Sequence, residues 1–239
     1  MARSSQCQRW RSADTQWEPR AVYEWLSWLV KQLPFPVLQV TAGNLRANTL
    51  AGLNSDGQRF DSIPWFIRNP DGSQGLGRRE CTKQYKLVPI RRKIRELLGG
   101  KAPRGGCSLW IGISIDEAVR MKESRVKYII NRWPLIEKGI SRNDCLLWMK
   151  KHGYPEPPRS SCIGCPFHND NEWRAIKADP MNWADACEVD RAIRRQPGFK
   201  GEQFAHRSMI PLSSVDFSTD EERGQGNLFV NECEGMCGV

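Results

Sequence analysis

Cys81 stands in the basic run Arg78-Arg79-Glu80-Cys81-Thr82-Lys83-Gln84-Tyr85-Lys86, and the pair Cys162-Ile163-Gly164-Cys165 follows far downstream. One isolated cysteine and a distant C-x-x-C supply three soft ligands from two parts of a fold. Such a set suits an iron–sulfur cluster with one iron left open, or a zinc ion that takes one more ligand. A zinc site on Cys162, Cys165 and His168 would take Cys81 as its fourth ligand. A redox dithiol is the third chemistry open to a C-x-x-C, but Pro166 follows the pair where a thioredoxin-type helix would start. Arg78, Arg79, Lys83 and Lys86 stabilise a thiolate at Cys81 and draw an anion to the same place. The plain alternatives are a pair of ordinary buried thiols at Cys162 and Cys165, and a solvated basic helix entry in which Cys81 is incidental.

Two further segments carry chemistry. The run Trp110-Ile111-Gly112-Ile113-Ser114-Ile115 is followed by Asp116, Glu117, Arg120 and Arg125. A strand end followed by charged side chains is where open α/β sheets bind ligands. The guanidinium forks of Arg120 and Arg125 match phosphate or sulfate; taken alone, the segment reads more readily as a solvated charged loop. Cys233 and Cys237 lie near the end of the chain, where cysteines on an irregular segment act as resolving thiols or have no role. The sequence contains no G-x-x-x-x-G-K-[ST], H-E-x-x-H or G-x-S-x-G pattern. With only His152, His168 and His206 present, histidine-driven acid–base chemistry has little support.

The elements that position these residues alternate. Ala13-Asp14-Thr15 is the end of a strand, so Asp14 sits at a strand-to-helix corner. Glu18 to Leu33 has Pro19 in its first turn and Val22, Trp25, Leu26 and Leu29 on one face, which predicts a helix. A strand is expected over 35–41, a mobile polar loop over 42–63, a basic helix over 89–98 and a buried strand over 109–115. A helical turn begins at Asp116 and a short strand covers 128–130. Ser141 caps a helix reaching His152, with Asp144 in the capping-box place. Helices over 169–178 and 180–195 precede an irregular tail from Pro197. Strands alternating with helices predict a layered α/β domain.

The 239 residues are 39% hydrophobic and 26% charged, enough for one sizeable core. No segment approaches the roughly 20 apolar residues of a membrane span, and the first residues lack the apolar core of a secretory signal. The expectation is a cytoplasmic protein without membrane contact. Nine cysteines, an odd number, argue against a disulfide framework in such a chain. The net charge of +9 favours an anionic partner, nucleotide or nucleic acid, or marks a generally basic surface.

From Ala13 to Val239 the order of segments resembles the phosphoadenosine phosphosulfate (PAPS) reductase family of the PP-loop, adenine-nucleotide α-hydrolase-like superfamily, in the form common in phage and prophage genomes. The matching residues are Asp14-Thr15 with Glu18, the block Cys81, Lys86 and Pro89, and Gly112-Ile113 with Glu117, Arg120 and Arg125. Gly153-Tyr154 before Cys162 and Cys165, and a late Glu232-Cys233, complete the likeness. The resemblance implies a single domain: a Rossmann-like (HUP-type), mostly parallel nucleotide-binding core over 13–135, then a helical, cysteine-bearing part over 136–239. It implies an adenylyl nucleotide, ATP or PAPS, held by Asp14, Thr15, Lys86, Arg120 and Arg125. It implies a [4Fe–4S] cluster on Cys81, Cys162 and Cys165, with zinc as the alternative, and Cys233 or Cys237 as mobile nucleophile. A thioredoxin-like reductant or a nucleic acid is the implied partner. Two departures follow. Glu80 stands where adenylyl-sulfate reductases carry a second cysteine, so the set resembles the three-ligand clusters of PP-loop thiolation and desulfuration enzymes. The family's opening strand and Ser-Gly-Gly-type phosphate loop have no counterpart in Met1 to Ser12, which implies a truncated or mis-started copy, or one that uses another subunit or a different nucleotide mode.

Overall fold

In the computed structural model, described for residues 10–59, 62–219 and 222, the chain is a mixed α/β protein with small parallel sheets and several helices. It forms two compact units. Among the described residues, one holds the chain up to Ile90 and again from Arg159; the other holds Arg91–Pro158.

The first unit opens with β1 (Trp10–Asp14), α1 (Arg20–Gln32) and β2 (Val37–Thr41), the two strands parallel in register from Trp10↔Val37 to Asp14↔Thr41. A helical crossover is what a parallel pair requires. Pro19 is the N-cap of α1 rather than a member of its first turn. Beyond β2 the expected mobile loop is ordered: α2 (Leu45–Leu50) is capped by the Asn44 side chain, which accepts from Ala47 N at 2.8 Å. Leu45 and Thr49, four residues apart on one face, are 2% and 1% exposed. Polar composition concealed that short buried stripe. Strands β3 (Phe66–Arg68) and β4 (Gln74–Leu76) pair antiparallel. A π-helical turn over Thr82–Leu87 leads into α3 (Val88–Leu97), so the basic helix starts earlier than expected.

After the second unit, α6 (Asp170–Ala178), α7 (Pro180–Ile193) and β7 (Glu202–Phe204) return to the first, β7 adding to the free edge of β3. The tail expected to be irregular from Pro197 is core here: Phe204, Leu212, Val215 and Phe217 are buried. Leu212, Val215 and Phe217 join Trp17, Trp65, Tyr85 and Trp173 in one hydrophobic cluster. Gly and Pro punctuation hid a segment whose apolar residues sit singly between turns.

The second unit pairs β5 (Cys107–Trp110) with β6 (Ile129–Arg132) in parallel. The buried strand expected over 109–115 is corrected in both extent and burial. β5 alternates between half-buried and exposed residues, and Trp110 is 65% exposed; an alternating pattern marks a one-sided strand rather than a buried one. A 3₁₀ turn over Ile115–Arg120, α4 (Pro134–Glu137) and α5 (Arg142–Lys151) follow. Ser141 and Asp144 form the reciprocal capping box that the sequence predicted. Among the described residues no helix is long and apolar enough to cross a membrane.

Candidate functional site

The corner after β1 is the centre of the site. Asp14 Oδ1 accepts from Gln16 N at 2.7 Å and from the Tyr23 hydroxyl at 3.0 Å. This bond turns the chain sharply, and Gln16 takes the left-handed conformation (φ 58°), an unusual one for a residue with a side chain. The turn sends Thr15, Trp17 and Glu18 inward; they are 1%, 3% and 7% exposed. Leu45 N donates to Thr15 O at 3.0 Å, tying the corner to α2. The Trp17 indole N–H donates to Asp185 Oδ2 at 2.6 Å, tying it to α7.

The C-x-x-C turn docks on that corner. Ile163 N donates to Trp17 O at 2.9 Å, and Cys165 N closes the turn on Cys162 O at 3.0 Å. Gly164 faces the Trp17 indole so closely that a Cβ would stand 2.8 Å from Trp17 Cζ2; only glycine lets the thiol pair approach the strand end. Thr15 Oγ1 and Cys162 Sγ lie 3.2 Å apart. His168 braces the turn from behind, its Nε2 2.9 Å from Cys162 O. That carbonyl requires a donor, so Nε2 carries the proton and is engaged on the backbone. Burial holds the His168 pKa below its usual value. In this arrangement the imidazole positions the turn, and its Nδ1 lies 3.4 Å from Glu172 Oε2.

Cys81 arrives from the other side, at the head of the π-helical turn. Its N–H and that of Glu80 both donate to Ser62 O, at 2.7 and 3.0 Å. Tyr85, fully buried, anchors the turn by accepting from Asn48 Nδ2 at 2.6 Å. π-turns carry an extra residue and recur at functional sites.

Burial dominates the setting of all three thiols. Burial pushes Cys81 up, against the Arg79 and Lys86 charges. Burial pushes Cys165 up as well, with the Cys81 charge adding to it. Cys162 is pushed up to about 12 by burial, with Glu18 and Cys165 adding and Lys86 opposing. All three are free cysteines with half-buried side chains. Lys86 lies among them: burial lowers its pKa, but Glu18, Cys162 and Cys81 outweigh burial and hold it above the ordinary lysine value. Its Nζ is 3.6 Å from Glu18 Oε1, which also accepts from Thr15 Oγ1 at 3.4 Å. Glu18 Oε2 is buried without a hydrogen-bond partner. Among the described residues no three His, Cys, Asp or Glu side chains already stand in metal-holding geometry. The residues gathered here are three sulfurs, Cys165 being coupled to Cys81 and to Cys162, with the Lys86 ammonium and the orphan Glu18 oxygen beside them.

Six of the residues singled out in the sequence thus meet here: Asp14, Thr15, Cys81, Lys86, Cys162 and Cys165. Arg120 and Arg125 belong to the second unit, where Arg120 pairs with Glu117 and Arg125 is exposed. Cys233 and Cys237 lie outside the described residues. Sequence reasoning missed Gly164, named Glu18 only within the family likeness, and read His168 only as a metal ligand. Arg79, part of the basic run, stands over the Phe167 ring at 5.1 Å, linking the Cys81 segment to the C-x-x-C segment.

The chain is similar to an uncharacterized nin region protein, ORF290, of Escherichia phage lambda, at 26% identity over 125 residues. The match covers 52% of this chain and 38% of that relative, so the chain spans well under half of the relative's length. No protein-family profile and no solved structure matches the chain.

Proposed function

We propose that this chain is a PAPS-reductase-like enzyme of sulfur chemistry, acting in sulfonucleotide reduction or nucleotide-activated sulfur transfer, with Cys81, Cys162 and Cys165 as ligands of an iron–sulfur cluster. The observation that supports this reading is the convergence of two distant thiol segments on the strand end that carries Asp14 and Thr15. On this reading β1–α1–β2 is the first crossover of a Rossmann-like sheet, and a ligand sits at the carboxyl end of β1. A cluster held by three cysteines supplies an open iron for sulfur and a path for single electrons. The chain's own residues do the rest. Thr15 orients the Cys162 sulfur, Lys86 neutralises the charge of ligating thiolates, and Glu18 anchors Lys86. The Tyr23–Asp14–Gln16 bonds fix the corner against which an adenylyl nucleotide would lie. Cys233 or Cys237 is the proposed mobile nucleophile, the cytoplasm the proposed compartment, and a thioredoxin-like protein the proposed reductant.

Anaerobic purification tests this directly. The expected product is brown, with visible sulfur-to-iron absorbance, and binds ATP or PAPS more weakly once Lys86 is replaced by alanine. A colourless, metal-free protein that binds neither nucleotide contradicts it.

The orphan Glu18 oxygen favours one second reading. Cys81, Cys162, Cys165 and Glu18, once drawn together on an ion, would form a four-ligand zinc set of mixed sulfur and oxygen and make the site structural. Zinc in place of iron after anaerobic purification, retained by wild type and lost in Glu18→Gln, would select it.

A further inference from the structure

A second feature of the first unit lies apart from the thiols in residue and element. Between β3, β7 and the end of α7 the surface opens into a hollow of about 630 Å³ lined by Arg68, Arg195, Phe199 and Lys200 among others. A second hollow of about 380 Å³ adjoins it, sharing Arg68 and Glu202 and adding Arg191 and Arg194. Together they line the surface with five cations against the two carboxylates of Asp190 and Glu202.

The array is built rather than scattered. Arg68 and Glu202 are cross-strand partners in the β3–β7 ladder. Glu202 splints two guanidinium groups at once: Arg68 Nη2 donates to Oε2 at 2.6 Å, and Arg195 Nε and Nη2 donate to Oε1 at 3.0 and 2.9 Å. Their outer edges stay in water, the side chains being 48% and 83% exposed. Arg68 and Arg194 both stand over the Phe204 ring, at 4.8 and 3.7 Å, which fixes the planes of the two guanidinium groups. Lys200 and Arg191 are exposed and form no ion pair among the described residues. Phe199, 38% exposed, offers a ring face beside them. Gly201 makes the shape: a Cβ there would stand 2.6 Å from Ile67 Cγ2 and 2.8 Å from Arg68 O, so only glycine lets this wall close on β3.

We infer that this groove binds single-stranded nucleic acid, the cations tracking successive phosphates and Phe199 stacking on a base. A lone phosphate would fill a fraction of either hollow, whereas the two adjoining hollows suit a chain of charges. A concave surface with an exposed ring fits an unstacked strand better than the convex wall of a duplex. The inference does not depend on the cysteine site, and either can fail without the other.

The test is fluorescence anisotropy of the full chain with a labelled mixed-sequence oligonucleotide of about twelve nucleotides, measured across a salt series. Binding is expected with a log–log salt slope of roughly −2, as three phosphate contacts give on single strands. Arg195→Ala with Lys200→Ala should bring the slope to about −0.7. Lys200→Ala alone, which breaks no ion pair and so leaves the fold intact, should remove about 0.7 of it. Phe199→Ala should weaken binding roughly fivefold or more at unchanged slope. The inference is overturned if the wild type shows no binding at low salt, or if its slope survives the groove variants. Equal or tighter binding of duplex of the same length, or equally effective competition by polyglutamate, overturns it too.

Discussion

Glu18 is the most demanding residue in the structure, a buried carboxylate with one oxygen shared by Lys86 and Thr15 and the other unpartnered. Removing half of such a pair leaves a buried charge exposed to a low dielectric. Lys86 is about a third exposed, so water softens the loss. Glu18→Ala is expected to cost about 1–2 kcal/mol, read by urea unfolding; an unchanged midpoint would mean that Lys86 turns to solvent at no cost. Gly164 carries a different constraint, since any side chain meets the Trp17 ring. Gly164→Ala should destabilise the first unit by about 1–3 kcal/mol through overpacking. Its signature in tryptophan fluorescence should come from Trp17, the ring that has to move.

At the scale of elements, α6 couples the thiol turn to the core. Asn169 caps it by accepting from Glu172 N at 2.9 Å, while Glu172 Oε2 accepts from Asn169 N at 2.9 Å. Trp173, one residue further on and fully buried, packs edge-on against His168 at 4.9 Å. Asn169→Ala should cost about 1 kcal/mol and Trp173→Ala about 3–5 kcal/mol in chemical denaturation, the second by opening a cavity behind the brace of the turn. Much of this was readable beforehand. The Ser141–Asp144 capping box follows from side chains three residues apart, and helices over 142–151 and 170–178 appear close to the expected bounds. What was not readable depends on contacts distant in sequence. The β3–β7 pairing joins Phe66 to Phe204, and nothing local in Glu202–Phe204 announces a strand. The burial of Thr49 and of Leu212 is likewise set by partners elsewhere in the chain. At the site, cysteine spacing identified the sulfurs, but only the folded chain brings Lys86 and Glu18 beside them and engages His168 on a carbonyl.

Considered as a whole molecule, the first unit gathers Trp173, Trp183 and Phe217 in one place. His206 lies within it, 5% exposed, between Asp170 at 3.2 Å, Ser208 at 2.8 Å, Trp173 and Phe217. Burial holds its pKa below the ordinary histidine value, Asp170 opposing and the Arg207 charge adding to the depression. A histidine that resists protonation in the fold accepts it more readily once unfolded, so acid favours the unfolded chain. Melting temperature should therefore be steady above about pH 6.5 and decline as pH falls below it, with a smaller decline in His206→Gln. A decline of equal size in that variant would assign the effect to other groups. In both units the parallel sheets have two strands among the described residues. Two strands alone are marginal in water, so helices and aromatic packing rather than sheet extent hold each unit together.

Metal content decides the central claim most directly. Iron, zinc and acid-labile sulfide should be measured on anaerobically purified wild type beside Cys81→Ala, Cys162→Ala, Cys165→Ala and the control Cys107→Ala, which changes a thiol in the second unit. The account predicts about four iron and four sulfide per chain in wild type and control, with each of the other three variants losing most of both. Metal retained in full by Cys81→Ala, or absent from the wild type, would contradict it, because three sulfurs acting on one centre cannot be dispensed with singly.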